Sequence, residues 1–243
     1  MTLRKYCPIT VYSLENIAKM QLNLTPPKYF NDPFDCYFLK KIDNLKKLPE
    51  DWKKYLLDLK ILSLYNEDEL KKKCEECAEK IDSIRRRFWS FYADAHKGIC
   101  IEFVIPDEKF KDANFIYDLQ LTRGVFSFTP NCFFSGQVLY EPVFENLRFI
   151  SDGTNLNSPQ SLLETAIFKK DHVFKSEEEF RIGLIPKDEK TLFPVFDIKE
   201  FTPKIIFGLE CEEKHKQVIA TIGKNNYLFY EVNEKMEESV YAE

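Results

Sequence analysis

The sequence predicts an α+β protein, built as a single domain with one mixed, mostly antiparallel sheet. Helical periodicity prevails up to about residue 95, whereas the alternation of apolar and polar residues that is typical of strands prevails after Gly98. Because helices and strands do not alternate regularly, segregated helices on an antiparallel sheet are favoured over a βαβ array. The 243 residues contain no repeat and no Pro/Ser/Gly-rich linker, which predicts one domain over residues 1–243.

The N-terminal part is predicted to be mainly helical. Ser13 is the expected cap of a first short helix. A helical insert is expected over about residues 45–88, or 45–95 with the segment that follows. Pro49 suits the first turn of one helix in this insert, and Asn66 begins a capping box that opens a longer one.

The C-terminal part is predicted to supply most of the sheet. Strands are expected at residues 98–105, 123–128, 137–140, 179–185, 204–207 and 227–232. Helices are expected at residues 159–170 and 212–222, and Ser158 is placed to cap the first of them.

Composition argues against several classes of function. The seven glycines form no GxGxxG, GxxxxGK[ST] or GxSxG pattern, and the formal net charge of −5 disfavours charge-driven nucleic-acid binding. No apolar run has the length of a signal peptide or a membrane span, so we expect a cytoplasmic protein with reduced cysteines and no membrane partner. Cys74 and Cys77 lie on the apolar stripe of a helix, which predicts buried thiols and no metal site.

The segment from Trp89 to Gly98 allows two interpretations. Trp89, Tyr92 and His96 share one helical face, and Gly98 is expected at the helix C-cap. His96 either completes the helix terminus, where the dipole favours a positive charge, or forms with Tyr92 a shelf that stacks a planar ring.

The strand at residues 179–185 also allows two interpretations. Alternation places Glu179, Arg181 and Gly183 on one face. That face is either solvated and carries a simple charge pair, or it forms the floor of a cleft in which Gly183 leaves space for a ligand.

The segment Phe30-Asn31-Asp32-Pro33-Phe34-Asp35 predicts a turn anchored by its two phenylalanines. One Asx side chain is enough to form such a turn, and Asn31, Asp32 and Asp35 supply three. The surplus polar side chains favour a binding role for this segment.

These motifs together resemble a bacterial family known only as a domain of unknown function, over nearly the whole chain. The shared motifs are Phe-Asn-Asp-Pro-Phe-Asp at residues 30–35, Trp-x-x-Tyr-Ala-x-x-His-x-Gly-x-Cys-x-x-Phe at residues 89–103, Glu-x-Glu-x-Arg at residues 177–181 after Lys169 and Lys170, and Ile-x-Phe-Gly at residues 205–208. The chain departs from the family at Cys7, where an arginine is usual, and lacks the tryptophan that usually precedes Glu-x-Glu.

The layout of this family is similar to that of the ADP-ribosyltransferase fold, which implies a site for NAD as substrate and no metal. The resemblance implies that Tyr6 or Arg4 lies on the first strand, Thr25 on the second, and the catalytic glutamate, Glu179, on a late strand. It implies further that Arg181 or Arg4 binds the pyrophosphate and that Tyr92 or Phe30 stacks on the nicotinamide. Asn31, Asp32 and His96 complete the expected binding residues.

The sequence is compatible with three functions. The first is an NAD-dependent ADP-ribosyltransferase-like enzyme that acts as a bacterial toxin or phage-defence effector. Its small-molecule partner is a nucleotide, and the identity of its acceptor, a protein or a nucleic acid, is left undetermined. The second is a non-catalytic module that binds a ligand or a protein through the same cleft. The third is a nuclease-like effector that holds a divalent metal on Asp32, Asp35, Glu177 and Glu179. The oligomeric state is left open.

Overall fold

The computed structural model describes residues 1–30, 35–36, 48–74, 78–111, 117–118, 133–141, 166–187 and 193–241. Over these residues the chain is α+β, and its sheet is mixed and mostly antiparallel, as predicted. The chain divides into two compact units. The first comprises Met1–Leu22, Leu64–Ile105 and Val195–Glu243, and the second comprises Asn23–Ser63 and Pro106–Pro194. The prediction of a single domain stays a prediction.

Among the described residues of the first unit, six strands belong to the main sheet, in the order β13-β12-β11-β4-β1-β3. Most neighbouring strands in this order are antiparallel, and β11 and β12 form a parallel pair. The strands are β1 (Thr2–Cys7), the C-terminal end of β3 (Lys60–Asn66), β4 (Ile99–Val104), β11 (Lys204–Phe207), β12 (Leu228–Val232) and β13 (Glu238–Val240). The helices are α1 (Val11–Lys19), α3 (Glu67–Lys73), α4 (Ala78–Tyr92) and α5 (Glu213–Gly223).

The core of the first unit is rich in aromatic rings. Tyr6 of β1 contacts Tyr65, Phe88 and Trp89, with ring centroids 5.1–5.5 Å apart. These contacts join α4 to the sheet, because the apolar stripe of this amphipathic helix faces it.

The second unit contains the order β3-β9-β6-β5, in which β6 and β9 are antiparallel and β5 and β6 are parallel. Its elements are α2 (Glu50–Asp58), the N-terminal end of β3, β5 (Tyr117–Asp118), β6 (Phe133–Gln137) and β9 (Glu179–Leu184). The short strands β7 (Leu139–Tyr140) and β8 (Lys169–Lys170) pair with each other. Leu59, Ile61, Phe134 and Phe168 lie in the core, with Cys36 packed among them.

Two short strands, β2 (Gln21–Asn23) and β10 (Val195–Asp197), form a separate pair. No helix in the described ranges has both the length and the apolar character needed to cross a membrane.

Most predicted elements are confirmed to within one or two residues. This holds for the helix that begins after Pro49, the helix at residues 212–222, and the strands at residues 98–105, 179–185, 204–207 and 227–232. The predicted strand at residues 137–140 is divided between β6 and β7. The strand predicted at residues 123–128 lies outside the described residues.

The helical insert predicted over about residues 45–88, or 45–95, also contains a strand that was not predicted, β3 (Lys60–Asn66), between its two helices. Six of the seven residues of this strand are buried, so both of its faces are covered. A strand covered on both faces has a short continuous apolar run instead of clean alternation, and such a run cannot be told from a buried helix by periodicity.

Three smaller predictions also need correction. Thr10, not Ser13, caps α1, and Ser13 closes the capping box from the third helical position. Asn66 caps its helix as predicted, but that helix ends at Lys73. The helix predicted to reach residue 170 does not, because Lys169–Lys170 form a strand.

Candidate functional site

The candidate site is built around Arg181, whose side chain is fully buried on β9 of the second unit. Its Nη2 donates to both carboxylate oxygens of Asp35 at 2.8 Å, and its Nε donates to Oε1 of Glu179 at 2.8 Å. The remaining Nη1 donates to the carbonyl of Ile167 at 2.5 Å. A buried guanidinium is tolerated only when its donors are satisfied in this way.

Lys170 of β8 supplies a second cation to the same cluster. Its Nζ lies 2.8 Å from Oε2 of Glu177, 3.2 Å from Oε2 of Glu179 and 3.6 Å from Oδ2 of Asp35. The ring of Phe174 lies 4.7 Å from the ammonium group. Three carboxylates therefore converge on two cations, and we call these five charged side chains the Arg181 cluster.

The cluster holds Glu179 ionised. Burial by itself would raise the pKa of Glu179, but the charges of Arg181 and Lys170 outweigh burial and hold the pKa far below its usual range. The same attraction raises the pKa of Lys170, although burial opposes it. Glu179 is therefore suited to electrostatic stabilisation, and it is not suited to donating a proton at neutral pH.

Two aromatic side chains border the Arg181 cluster. The ring of Phe30 lies 5.7 Å from Cζ of Arg181. The hydroxyl oxygen of Tyr140 accepts a hydrogen bond from the backbone N–H of Glu179 at 2.9 Å. Burial, together with the negative charge of Glu179, raises the pKa of Tyr140, so this phenol stays protonated.

The backbone next to the acidic residues of the cluster is strained. Cys36, which follows Asp35, has a φ of 51°, and Glu178, which lies between Glu177 and Glu179, has a φ of 44°. A residue other than glycine rarely adopts this conformation and keeps it only where its surroundings enforce it. Cys36 also contacts the cluster directly, since Nη1 of Arg181 lies 3.2 Å from its Sγ.

Neither interpretation of the strand at residues 179–185 fits entirely. The charge pair between Glu179 and Arg181 is present, but all six residues of β9 are buried, so this face is not solvated. The space expected beside Gly183 is filled, because a Cβ on Gly183 would overlap the ring of Phe134. The glycine thus admits a core side chain at this point instead of a ligand.

Arg4, a predicted pyrophosphate-binding residue, lies in a different cluster in the first unit. Its guanidinium contacts Oε2 of Glu102 at 2.6–2.7 Å, Oε1 of Glu238 at 2.6 Å and Oε2 of Glu67 at 3.5 Å. Glu102 also accepts from Nζ of Lys204 at 2.8 Å, and Glu67 also pairs with Arg85. We call this group the Arg4 cluster. Carboxylates of the protein itself therefore neutralise Arg4.

The three predicted catalytic residues fall into different units. Tyr6 lies on the first strand, as the resemblance implies, but its ring is buried in the aromatic core, and burial raises the pKa of its hydroxyl. Thr25 belongs to the second unit, where it forms an isolated bridge to Ile61 beyond the end of β2. Glu179 lies in the Arg181 cluster of that unit. The convergence of all three on one site stays a prediction.

The predicted ring-stacking shelf has a different structure. The C-cap expected at Gly98 was wrong, because α4 ends at Tyr92 and the chain then makes a left-handed turn through Asp94, Ala95 and His96, with φ of 49°, 50° and 70°. Gly98 is needed for a close approach, since a Cβ there would overlap the carbonyl oxygen of Cys7. The motif that resembles the family therefore encodes an unusual turn.

His96 and Tyr92 pack on different partners. The ring of His96 stacks on buried Trp89 at 6.2 Å, and Tyr92 packs against Tyr65 and Phe88. Burial lowers the pKa of His96, Glu210 opposes this shift and Arg86 adds to it. This shift disfavours a positive charge on His96, although its backbone N–H does complete the end of α4 by donating to the carbonyl of Trp89 at 3.1 Å.

Sequence reasoning missed the central role of Lys170, which it assigned to the end of a helix. The signal was available in the Lys169-Lys170 pair that precedes the Glu-x-Glu-x-Arg motif. Asn31 and Asp32, which were predicted to bind the ligand, lie outside the described residues.

No group of His, Cys, Asp and Glu among the described residues is arranged to hold a metal ion. Of the four carboxylates in the nuclease hypothesis, Asp35, Glu177 and Glu179 do converge, but they converge on the ammonium of Lys170. The lysine thus stands where a divalent cation would have to bind, and the hypothesis gains no support from this geometry.

Comparisons of the chain with protein-family models, curated proteins and solved structures found no match. The family resemblance, the NAD site and the catalytic roles accordingly remain hypotheses.

Proposed function

We propose that this chain is an NAD-using ADP-ribosyltransferase-like enzyme in which Glu179 is the charge-stabilising carboxylate. The observation that carries the proposal is a buried carboxylate that Arg181 and Lys170 keep ionised. Cleavage of the nicotinamide–ribose bond passes through an oxocarbenium-like state, which an ionised carboxylate stabilises and a protonated one does not.

The proposed step is a displacement at C1′ of the ribose. The electron pair of the C1′–N bond leaves with nicotinamide, and an acceptor nucleophile or water forms the new bond to C1′ and releases its proton. The Arg181 cluster suits a developing positive charge, since three carboxylates face two cations there. In this proposal Phe30 packs against the nicotinamide ring and Arg181 positions Glu179. Action as a bacterial toxin or phage-defence effector belongs to the same proposal and rests on the family resemblance.

A second candidate function, a non-catalytic module that binds a ligand or a protein, is favoured by the burial of the same residues. Arg181 is 0% exposed and Glu179 is 4% exposed, and each neutralises the other. A buried ion pair of this kind is able to specify the structure of its unit without taking part in catalysis. The two functions differ in whether NAD is cleaved.

The deciding experiment is an assay of nicotinamide release from NAD, read by chromatography, together with labelling of acceptors in a bacterial lysate. We expect release by the wild-type chain and at least a hundredfold slower release by Glu179→Gln, because the amide keeps the shape of the side chain and removes its charge.

The matched control is Glu102→Gln. Glu102 also bridges a buried arginine and a lysine, so its loss should destabilise the fold similarly while leaving the rate of release close to that of the wild type. If the two variants lose activity in equal measure, the loss reflects stability, and Glu179 is not catalytic. If the wild-type chain releases no nicotinamide, the enzymatic function is rejected in favour of the binding module.

A further inference from the structure

Two aromatic side chains of the second unit stand exposed side by side. Tyr29 is 56% exposed and Phe193 is 47% exposed, and their ring centroids lie 6.3 Å apart with planes 30° from parallel. Leaving large aromatic surfaces in water is unfavourable, so an exposed pair of nearly parallel rings points to a partner that stacks on them.

Hydrogen bonds hold the backbone beside both rings. Tyr29 ends the short 3₁₀ helix Pro27–Tyr29, and its N–H donates to the carbonyl of Pro26 at 3.0 Å. Phe193 precedes Pro194, whose carbonyl accepts a hydrogen bond from Leu24 at 2.8 Å. The backbone that carries the two rings is therefore ordered before any ligand binds, which lowers the entropic cost of binding.

Positive charge lies beside these rings. Nζ of Lys28 is 5.0 Å from the centroid of the Tyr29 ring, and no carboxylate among the described residues forms a salt bridge with Lys28. An ammonium group beside an aromatic surface attracts an anionic ligand.

A nucleotide combines the two properties that this surface would recognise. Its base stacks on aromatic rings, and its phosphates attract ammonium groups. We propose that Tyr29, Phe193 and Lys28 form a subsite for an adenosine phosphate, with the base on the two rings and the phosphates near the lysine. We call it the adenosine subsite.

The adenosine subsite extends the proposed function, on which its assignment to NAD rests. Phe30 directly follows Tyr29, and its ring lies against Arg181 of the same unit. The subsite would hold the unreactive adenosine end of NAD, while the Arg181 cluster would act on the nicotinamide end. A nucleic-acid strand is the less favoured occupant, because the whole chain carries a formal net charge of −5.

The test is calorimetric titration of the full chain with ADP, adenosine and inorganic pyrophosphate. ADP is expected to bind more tightly than either of its parts. Tyr29→Ala and Phe193→Ala are each expected to weaken ADP binding by roughly five- to 150-fold, the range that corresponds to losing one stacking contact. Tyr29→Phe, which keeps the ring, should retain the affinity.

Matched controls come from the first unit. Tyr12→Ala and Phe91→Ala remove rings that are 70% and 74% exposed, and they should leave ADP affinity unchanged. Lys28→Gln should weaken the binding of ADP and leave that of adenosine unaltered, whereas Lys224→Gln, at another exposed lysine, should alter neither.

Three outcomes overturn the adenosine subsite. These are no binding of ADP at millimolar concentration, equal weakening by the control variants, or displacement of ADP by a short single-stranded oligonucleotide that binds more than tenfold tighter. Failure of the enzyme proposal looks different. If ADP binds through Tyr29 but NAD is not cleaved, the adenosine subsite is supported and the enzymatic function is rejected. If Tyr29→Ala cleaves NAD with the same KM as the wild-type chain, the enzymatic function is supported and the adenosine subsite is rejected.

Discussion

Each of the two units neutralises a buried arginine, and the chemistry is the same in both. Arg4 on β1 shares Glu102 with Lys204, and Arg181 on β9 shares Glu179 with Lys170. An aromatic ring lies beside a cation of each cluster as well, since Tyr230 lies 5.3 Å from Nζ of Lys204. Identical side-chain chemistry therefore does not by itself separate a structural cluster from a functional one.

The clusters differ in the backbone that supplies them. The acidic partners of Arg4 come from regular elements, namely α3, β4 and β13, whereas Asp35, a partner of Arg181, lies in a turn. Positive φ occurs at Cys36 and Glu178, which directly adjoin acidic residues of the Arg181 cluster, and at no residue that directly adjoins a paired residue of the Arg4 cluster. Such residues cost on the order of 1–3 kcal/mol each and concentrate at functional sites. The strain marks the Arg181 cluster as the better candidate.

The largest effect is expected when each arginine is removed. Arg181→Met should lower the free energy of unfolding by about 3–5 kcal/mol, because buried Asp35 and Glu179 are left to share one cation, Lys170, with Glu177. Arg4→Met should lower the free energy of unfolding by less, about 1–3 kcal/mol, since Lys204 still pairs with Glu102 and Arg85 still pairs with Glu67. Urea titration followed by circular dichroism measures both, and a greater loss for Arg4→Met would reverse the ranking of the two clusters.

A smaller effect is expected from acid. The folded-state pKa of Glu179 lies below its unfolded value of about 4.3, so its ionised form contributes stability above that pH, and this contribution is lost as the pH falls towards the folded-state pKa. The difference in unfolding free energy between wild type and Glu179→Gln should therefore narrow by about 1–2 kcal/mol from pH 6 to pH 3.

Glu102→Gln provides the comparison for this acid effect. Burial opposes ionisation of Glu102, while Arg4 and Lys204 lower its pKa. The difference in unfolding free energy between wild type and Glu102→Gln should narrow less, because the side chain of Lys204 is 36% exposed and solvent screens its charge. A difference for Glu179→Gln that stays constant with pH would show that the two cations do not hold Glu179 ionised.

The predictability of the fold from the sequence depended on how each element is buried. The strand at residues 204–207 and the helix at residues 212–222 show clear periodicity and were predicted to within a residue. β3 was missed because burial on both faces removes the alternation on which the prediction relies. The end of α4 was misplaced since three successive residues other than glycine adopt a left-handed conformation, which side-chain types do not reveal.

The candidate site was predictable only in part. Glu179 and Arg181 could be placed together, because residues two apart on a strand share a face. The contacts of Asp35 and Lys170 join parts of the chain far apart in sequence, so no local pattern could reveal them. The assignment of Arg4 and Arg181 to different units likewise depends on long-range contacts, which the sequence did not specify.

The ionisation of Glu179 is the central claim, and an NMR titration of the side-chain carboxylates tests it most directly. With ¹³C-labelled glutamate, and with Glu179→Gln and Glu102→Gln used for assignment, both resonances can be followed from pH 7 to pH 3. The Glu179 resonance is expected to stay at its ionised position throughout, because Arg181 and Lys170 keep its pKa far below the usual range. A titration of Glu179 with a midpoint near the ordinary value of about 4.3 would contradict the account.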